Sequence, residues 1–253
     1  MSAAPAPEGG PTTGGIAAAV ERHADELARR PILEMYAADP FWSRRFGRRG
    51  ERHAGEDGRH HVVYLVEALR EGDAVRFVRY AEWLRTVLVA RGMCTRHVLE
   101  NLARLGDAAN DLLARDGVDA AEPRRYLREA AAALAYATGP AAVAAGVAGR
   151  LADRPPYTVE GDDDRRETAD LAWYLADALA ARRDDLFVAH VRWLDADRRE
   201  RGDAAGARAL LGTLRDALAA DAPDAPDAPD GAAPAVALLD TGARALAADD
   251  RRR

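Results

Sequence analysis

The stretch HVVYLVEALREGDAVRFVRYAEWLRTVLVARGM, residues 61–93, decides the fold. His61, Leu65, Ala68 and Leu69 stand at i, i+4, i+7 and i+8, so they share one face of a helix. Phe77, Tyr80, Ala81, Leu84 and Leu88 make a second stripe of the same period. Between the stripes, Gly72 can enter the left-handed conformation that closes the first helix, and Asp73 can accept from the free amides that open the second. Gly92 closes the second helix, and Val98, Leu99, Leu102 and Leu105 supply a third stripe before Gly106.

Working outward, residues 16–30 read as an amphipathic helix, with a further helical segment after Pro31. No stretch alternates apolar and polar residues over the length of a strand. The expected fold class is therefore all-α, with five or six helices per unit. Residues 130–149 carry no charge over the length of a membrane span. Their only large apolar side chains are Leu134, Tyr136, Val143 and Val147, and Gly139-Pro140 interrupts them, so two buried helical pieces with a turn are expected instead.

Sliding the sequence on itself gives one clear register, at an offset of 110 residues. YLVEAL (64–69) falls on YLADAL (174–179), Phe77-Val78 on Phe187-Val188, Trp83-Leu84 on Trp193-Leu194, and Arg91-Gly92 on Arg201-Gly202. These are ten identities over the 29 positions 64–92, where about three are expected by chance in so alanine- and arginine-rich a chain. The expected organisation is a flexible leader over 1–15, two helical units over 16–115 and 116–220, a stiff Pro/Asp-rich linker over 221–231, and a short, loosely attached helix with a basic tail over 232–253. Trp83, Trp193, Phe77 and Phe187 repeat at matching positions and are expected in the core.

The chain has 253 residues, 48% hydrophobic and 31% charged, the composition of a globular protein. Its net charge of -6 opposes general nucleic-acid binding, which needs concentrated positive charge. The single cysteine, Cys94, cannot form an internal disulfide or a paired-cysteine zinc site, and the N-terminus has no signal-peptide pattern, so a cytoplasmic location is expected. There is no Gly-rich phosphate loop, no G-x-S-x-G, and only two serines, Ser2 and Ser43.

Residues 54–93 resemble the second half of a phycobiliprotein-type globin domain. That family carries Cys-x-Arg-Asp, a tyrosine-containing helix ending in an alanine and Gly-Asp, and a second helix ending in glycine and a small apolar residue. Asp57, Tyr64, Ala68, Gly72-Asp73 and Gly92-Met93 fit this order. The resemblance implies two tandem globin-like domains, an internal pseudo-dimer pairing through residues 16–30 and 123–137, and a link to bilin or tetrapyrrole handling. It also implies that Asp57 can hydrogen-bond pyrrole nitrogens. The bilin-attaching cysteine, however, is replaced by Ala54 in the first unit and Asp164 in the second, so no covalent chromophore is expected. In the second unit Glu167 takes the aspartate's place and Arg182-Arg183 replaces Gly-Asp.

His53, His60 and His61 cluster around Asp57 in sequence at helical spacing, as an axial haem ligand or a carboxylate–histidine metal site requires. Plainer readings make Asp57 a solvated or capping acid and His61 a core histidine. The expected function is a non-enzymatic regulatory or accessory protein without a resident cofactor or metal, its partner another protein or a tetrapyrrole, with neither nucleic acid nor membrane. One alternative is a non-covalent haem or bilin sensor using His53, Asp57, His60 and His61; a second is a metal-dependent enzyme.

Overall fold

The computed structural model describes residues 13–152, 162–203, 205–220 and 232–252; the 221–231 linker and most of the leader lie outside them. Among the described residues there are eleven helices and no strand, so the all-α expectation holds. None of these helices is long and apolar enough to cross a membrane. The uncharged run splits as expected, with one helix ending at Ala133 and the next opening at Gly139.

The chain forms two compact units. The first takes the described residues up to Leu84 together with Leu99–Leu134. It holds α1 (Thr13–Arg22), α2 (Ala24–Ala38), α3 (Pro40–Glu71), the first part of α4 (Ala74–Ala90), most of α5 (Thr95–Arg115) and α6 (Ala121–Ala133). The second takes Arg85–Val98, which join α4 to α5, and the described residues from Ala135 on. It holds α7 (Gly139–Ala152), α8 (Asp162–Ala181), α9 (Asp184–Glu200), α10 (Arg208–Ala220) and α11 (Ala232–Asp250). These units cut across the 115/116 boundary drawn from the repeat, and α6 lies in the first unit, against α3.

The α3–α4 corner forms as its residues dictate. Gly72 takes φ 68°, Asp73 N–H donates to Ala68 O at 3.0 Å, and Asp73 Oδ1 accepts from Val75 N–H at 2.9 Å. At the α8–α9 corner, 110 residues on, Arg182 is left-handed at φ 54° and Arg183 N–H donates to Ala178 O at 2.9 Å. Gly92 and Gly202 also match, at φ 85° and 91°.

Three expectations need correction. Trp83 is not core: it is 58% exposed, while Phe77, Tyr80, Ala81, Leu84 and Leu88 are all buried. At 100° per residue Trp83 lies about 120° from the centre of that stripe, so its repetition outweighed its phase. Pro31 does not separate two helices; it sits buried inside α2, and the break falls at His23 instead. The C-terminal helix is neither short nor loose. It runs for 19 residues and buries Ala235, Leu238, Leu239 and Leu246 at helical spacing. A Cβ on its Gly242 would stand 3.0 Å from the Phe187 ring, so the backbone of α11 packs directly on α9.

Each unit has its own apolar centre. In the first, Leu27, Leu65, Leu69, Phe77, Leu102, Leu105 and Tyr126 are almost wholly enclosed. In the second, Leu171, Leu175, Phe187, Val191 and Leu214 are enclosed with the leucines of α11, and Trp193 packs against them partly buried.

Candidate functional site

Helix α3 carries His61 and Tyr64 one turn apart, and α4 carries Tyr80 and Trp83 one turn apart, because the Gly72-Asp73 corner folds the two helices back together. The Tyr64 and Tyr80 rings lie nearly parallel, with centroids 4.0 Å apart and planes at 15°. Trp83 follows at 6.0 Å from Tyr80. The Tyr80 hydroxyl meets His61 Nδ1 at 2.6 Å in the interior. These rings border an open cleft of about 550 Å³ in the first unit, completed by Glu71, Asp73, Arg76 and Arg79.

The electrostatics separate a neutral floor from a charged rim. Burial pushes His61 down to about 4, helped by the neighbouring His60. Burial first, then the charge of Asp57 and the neighbouring Tyr64, pushes the Tyr80 phenol well up. At neutral pH the His61–Tyr80 hydrogen bond therefore joins two uncharged groups. On the rim, Arg76 is held by Glu67 at 2.6 Å and by Glu71. Arg79 is exposed and has no hydrogen bond or ion pair with any described residue. Such a cleft offers aromatic faces for stacking, one unengaged guanidinium and a pair of carboxylates, all suited to non-covalent recognition.

The four residues singled out from sequence are separated by the fold. His61 is buried, and Asp57 is half-buried and close enough to act on Tyr80. His53 is exposed, its Nδ1 3.3 Å from Glu56 and its Nε2 accepting from Arg49 at 3.4 Å. His60 is exposed as well. No group of three or more His, Cys, Asp or Glu side chains suited to a metal ion occurs among the described residues.

Sequence reasoning missed the polar interior of the second unit. Glu167, in the place of Asp57, is buried and receives Arg198 at 2.5 Å and Arg201 at 2.7 Å; Arg198 also reaches Asp164 and Asp203. Asp177 accepts from Thr95 N–H at 2.7 Å, from Thr95 Oγ1 at 2.5 Å and from the Tyr136 hydroxyl at 2.5 Å. It thereby caps the N-terminus of α5 from 82 residues away. Burial raises the Asp177 carboxyl against the opposing pull of these donors. Cys94 is buried, its thiol pushed well up by burial and its amide donating to His97 Nδ1 at 3.2 Å, the setting of an inert thiol. Apart from Cys94–His97 and Arg198–Asp203, the partners in these contacts stand 31 to 82 residues apart in the chain and leave no local signature. No family model, curated protein or solved structure matches this chain.

Proposed function

We propose that this chain is a non-enzymatic regulatory or accessory module built from two globin-like repeats, and that it acts by presenting the aromatic cleft of its first unit to a macromolecular partner. The observation that carries the reading is Trp83, 58% exposed beside the Tyr64–Tyr80 stack and close to Arg79 on the rim. Tryptophan, tyrosine and arginine dominate the energetics of protein interfaces. A large aromatic left in water contributes little to folding, and its placement is explained by what it meets on binding.

The repeat is supported by the two left-handed corners at Gly72 and Arg182 and by the shared ends at Gly92 and Gly202. Shifted by 110 residues, α3 ends with α8, and the bounds of α4 fall on those of α9. The globin-like character rests on the resemblance of residues 54–93.

Two measurements test the reading. Urea unfolding of Trp83→Ala is expected to cost less than about 1 kcal/mol, against about 3–5 kcal/mol for Phe77→Ala in the core. A Trp83→Ala cost as large as that of Phe77→Ala would overturn it. Titration with hemin and with biliverdin, followed by absorption, is expected to give no saturable band. A saturable band lost in His61→Ala would replace the docking reading with a tetrapyrrole sensor.

A further inference from the structure

The second unit contains the counterpart of this cleft with an occupant in place. At the offset of 110, Tyr64, Tyr80 and Trp83 fall on Tyr174, His190 and Trp193. The stack is kept, with Tyr174 and His190 centroids 3.4 Å apart and planes at 12°. Here, however, Tyr174 is only 3% exposed. The end of α4 and its corner into α5 cover it: the Tyr174 hydroxyl donates to Gly92 O at 2.9 Å, and the His97 ring stands edge-on to it. Val89 and Ala90 of that end line one cleft with Ala181 and Leu186.

The matching end belongs to α9, where Arg201 and Gly202 are exposed. The chain thus holds an open aromatic face, an exposed helix end, and one closed example of how such a pair fits. The substitutions agree on both sides. Val89 and Ala90 become Arg199 and Glu200 on the free end, while Ala181 and Leu186 become Glu71 and Arg76 on the free face. Apolar residues lining one cleft are thus exchanged for charged ones on both sides; Arg199 is already held by Asp195 at 2.8 Å and Arg76 by Glu67 at 2.6 Å, so Glu200 on the end and Arg79 on the face are the charges that set register and select the partner.

We propose that the aromatic cleft of the first unit receives the C-terminal end of α9 from a second copy of this chain, with the Tyr64 hydroxyl donating to the partner's Gly202 carbonyl. This names the partner of the docking site proposed above and rests on that reading. The contact is head-to-tail, so each molecule offers one face and one end, and the assembly is a ring or an open chain according to the rotation between copies.

Sedimentation velocity over a wide concentration range tests it. The wild type is expected to gain mass with concentration, and Arg79→Glu or Trp83→Ala on the face, or Glu200→Arg on the end, to weaken self-association by about tenfold or more. Mixing a face variant with Glu200→Arg leaves one intact face and one intact end, so a discrete dimer is expected where neither variant alone assembles. A wild type that stays monomeric throughout overturns the second copy as partner, while a near-neutral Trp83→Ala stability keeps the docking surface. Undiminished self-association of Glu200→Arg, as in a symmetric face-to-face pair, overturns the head-to-tail contact. A Trp83→Ala protein that unfolds, together with an Arg79→Glu protein that associates like wild type, overturns both readings.

Discussion

His61 makes folding stability depend on pH in a way that can be isolated. Its imidazole is enclosed and bonded to Tyr80, and burial lowers it from the ordinary 6.5 to about 4. The unfolded chain therefore binds a proton between pH 6.5 and 4 that the folded chain refuses, so stability is full above pH 6.5 and falls as the pH drops toward 4. At about 1.4 kcal/mol for each tenfold in proton affinity, the loss reaches about 2 kcal/mol at pH 5 and about 3 kcal/mol at pH 4. The comparison protein is His61→Leu combined with Tyr80→Phe, which installs the leucine found at position 171 and leaves no hydroxyl stranded. Urea unfolding of both proteins at a series of pH values between 7.5 and 4 should show the wild type losing about 3 kcal/mol more than the double variant. Carboxylates that titrate in the same range act on both proteins and cancel in the difference. Parallel curves for the two proteins would refute an enclosed, neutral His61.

Other perturbations have definite expected outcomes. Arg182→Gly should stabilise the protein by about 0.5–1 kcal/mol in urea melts, because a side chain at φ 54° carries strain that glycine lacks; a loss of stability would show that the left-handed corner is not formed. Asp177→Ala should cost about 2–4 kcal/mol in the same assay, since it strands the Thr95 amide, the Thr95 hydroxyl and the Tyr136 hydroxyl; a cost under about 0.5 kcal/mol would refute the capping role. Gly242→Leu should destabilise by several kcal/mol, read by thermal unfolding, because even a Cβ there would stand 3.0 Å from the Phe187 ring and leave no room for the rest of the side chain; an unchanged melting curve would detach α11 from α9.

Local physics was legible and long-range company was not. The stripes around Leu65 and Phe77, the Gly72-Asp73 corner and the end at Gly92 all depend on neighbours a few residues away, and each forms as read. Trp83 matches Trp193 in sequence but lies off the buried stripe in angle, and the phase is the better guide to its exposure. His61 was rightly placed on the apolar face, but its partner Tyr80 stands 19 residues off, across a corner. Burial of α11 was not foreseen because alanines and a glycine look weakly apolar, although small residues are what let its backbone approach Phe187. The candidate cleft depends on which of two similar surfaces the α4–α5 corner covers, and the residues that 64–92 and 174–202 have in common hold no record of that choice.

The make-up of the two units has a consequence for biosynthesis. The first unit draws on residues up to Leu84 and resumes at Leu99–Leu134, so it can close once Leu134 has left the ribosome. The second unit needs Arg85–Val98, made early, and α11, made last. During translation of the intervening sequence the Gly92 corner must wait with its Cys94 and Thr95 side chains unburied. A premature stop between the end of α9 and the start of α11 would leave Phe187 and Val191 without their covering helix while the first unit is already complete, and the truncated product would expose a sticky half to the cell's quality control.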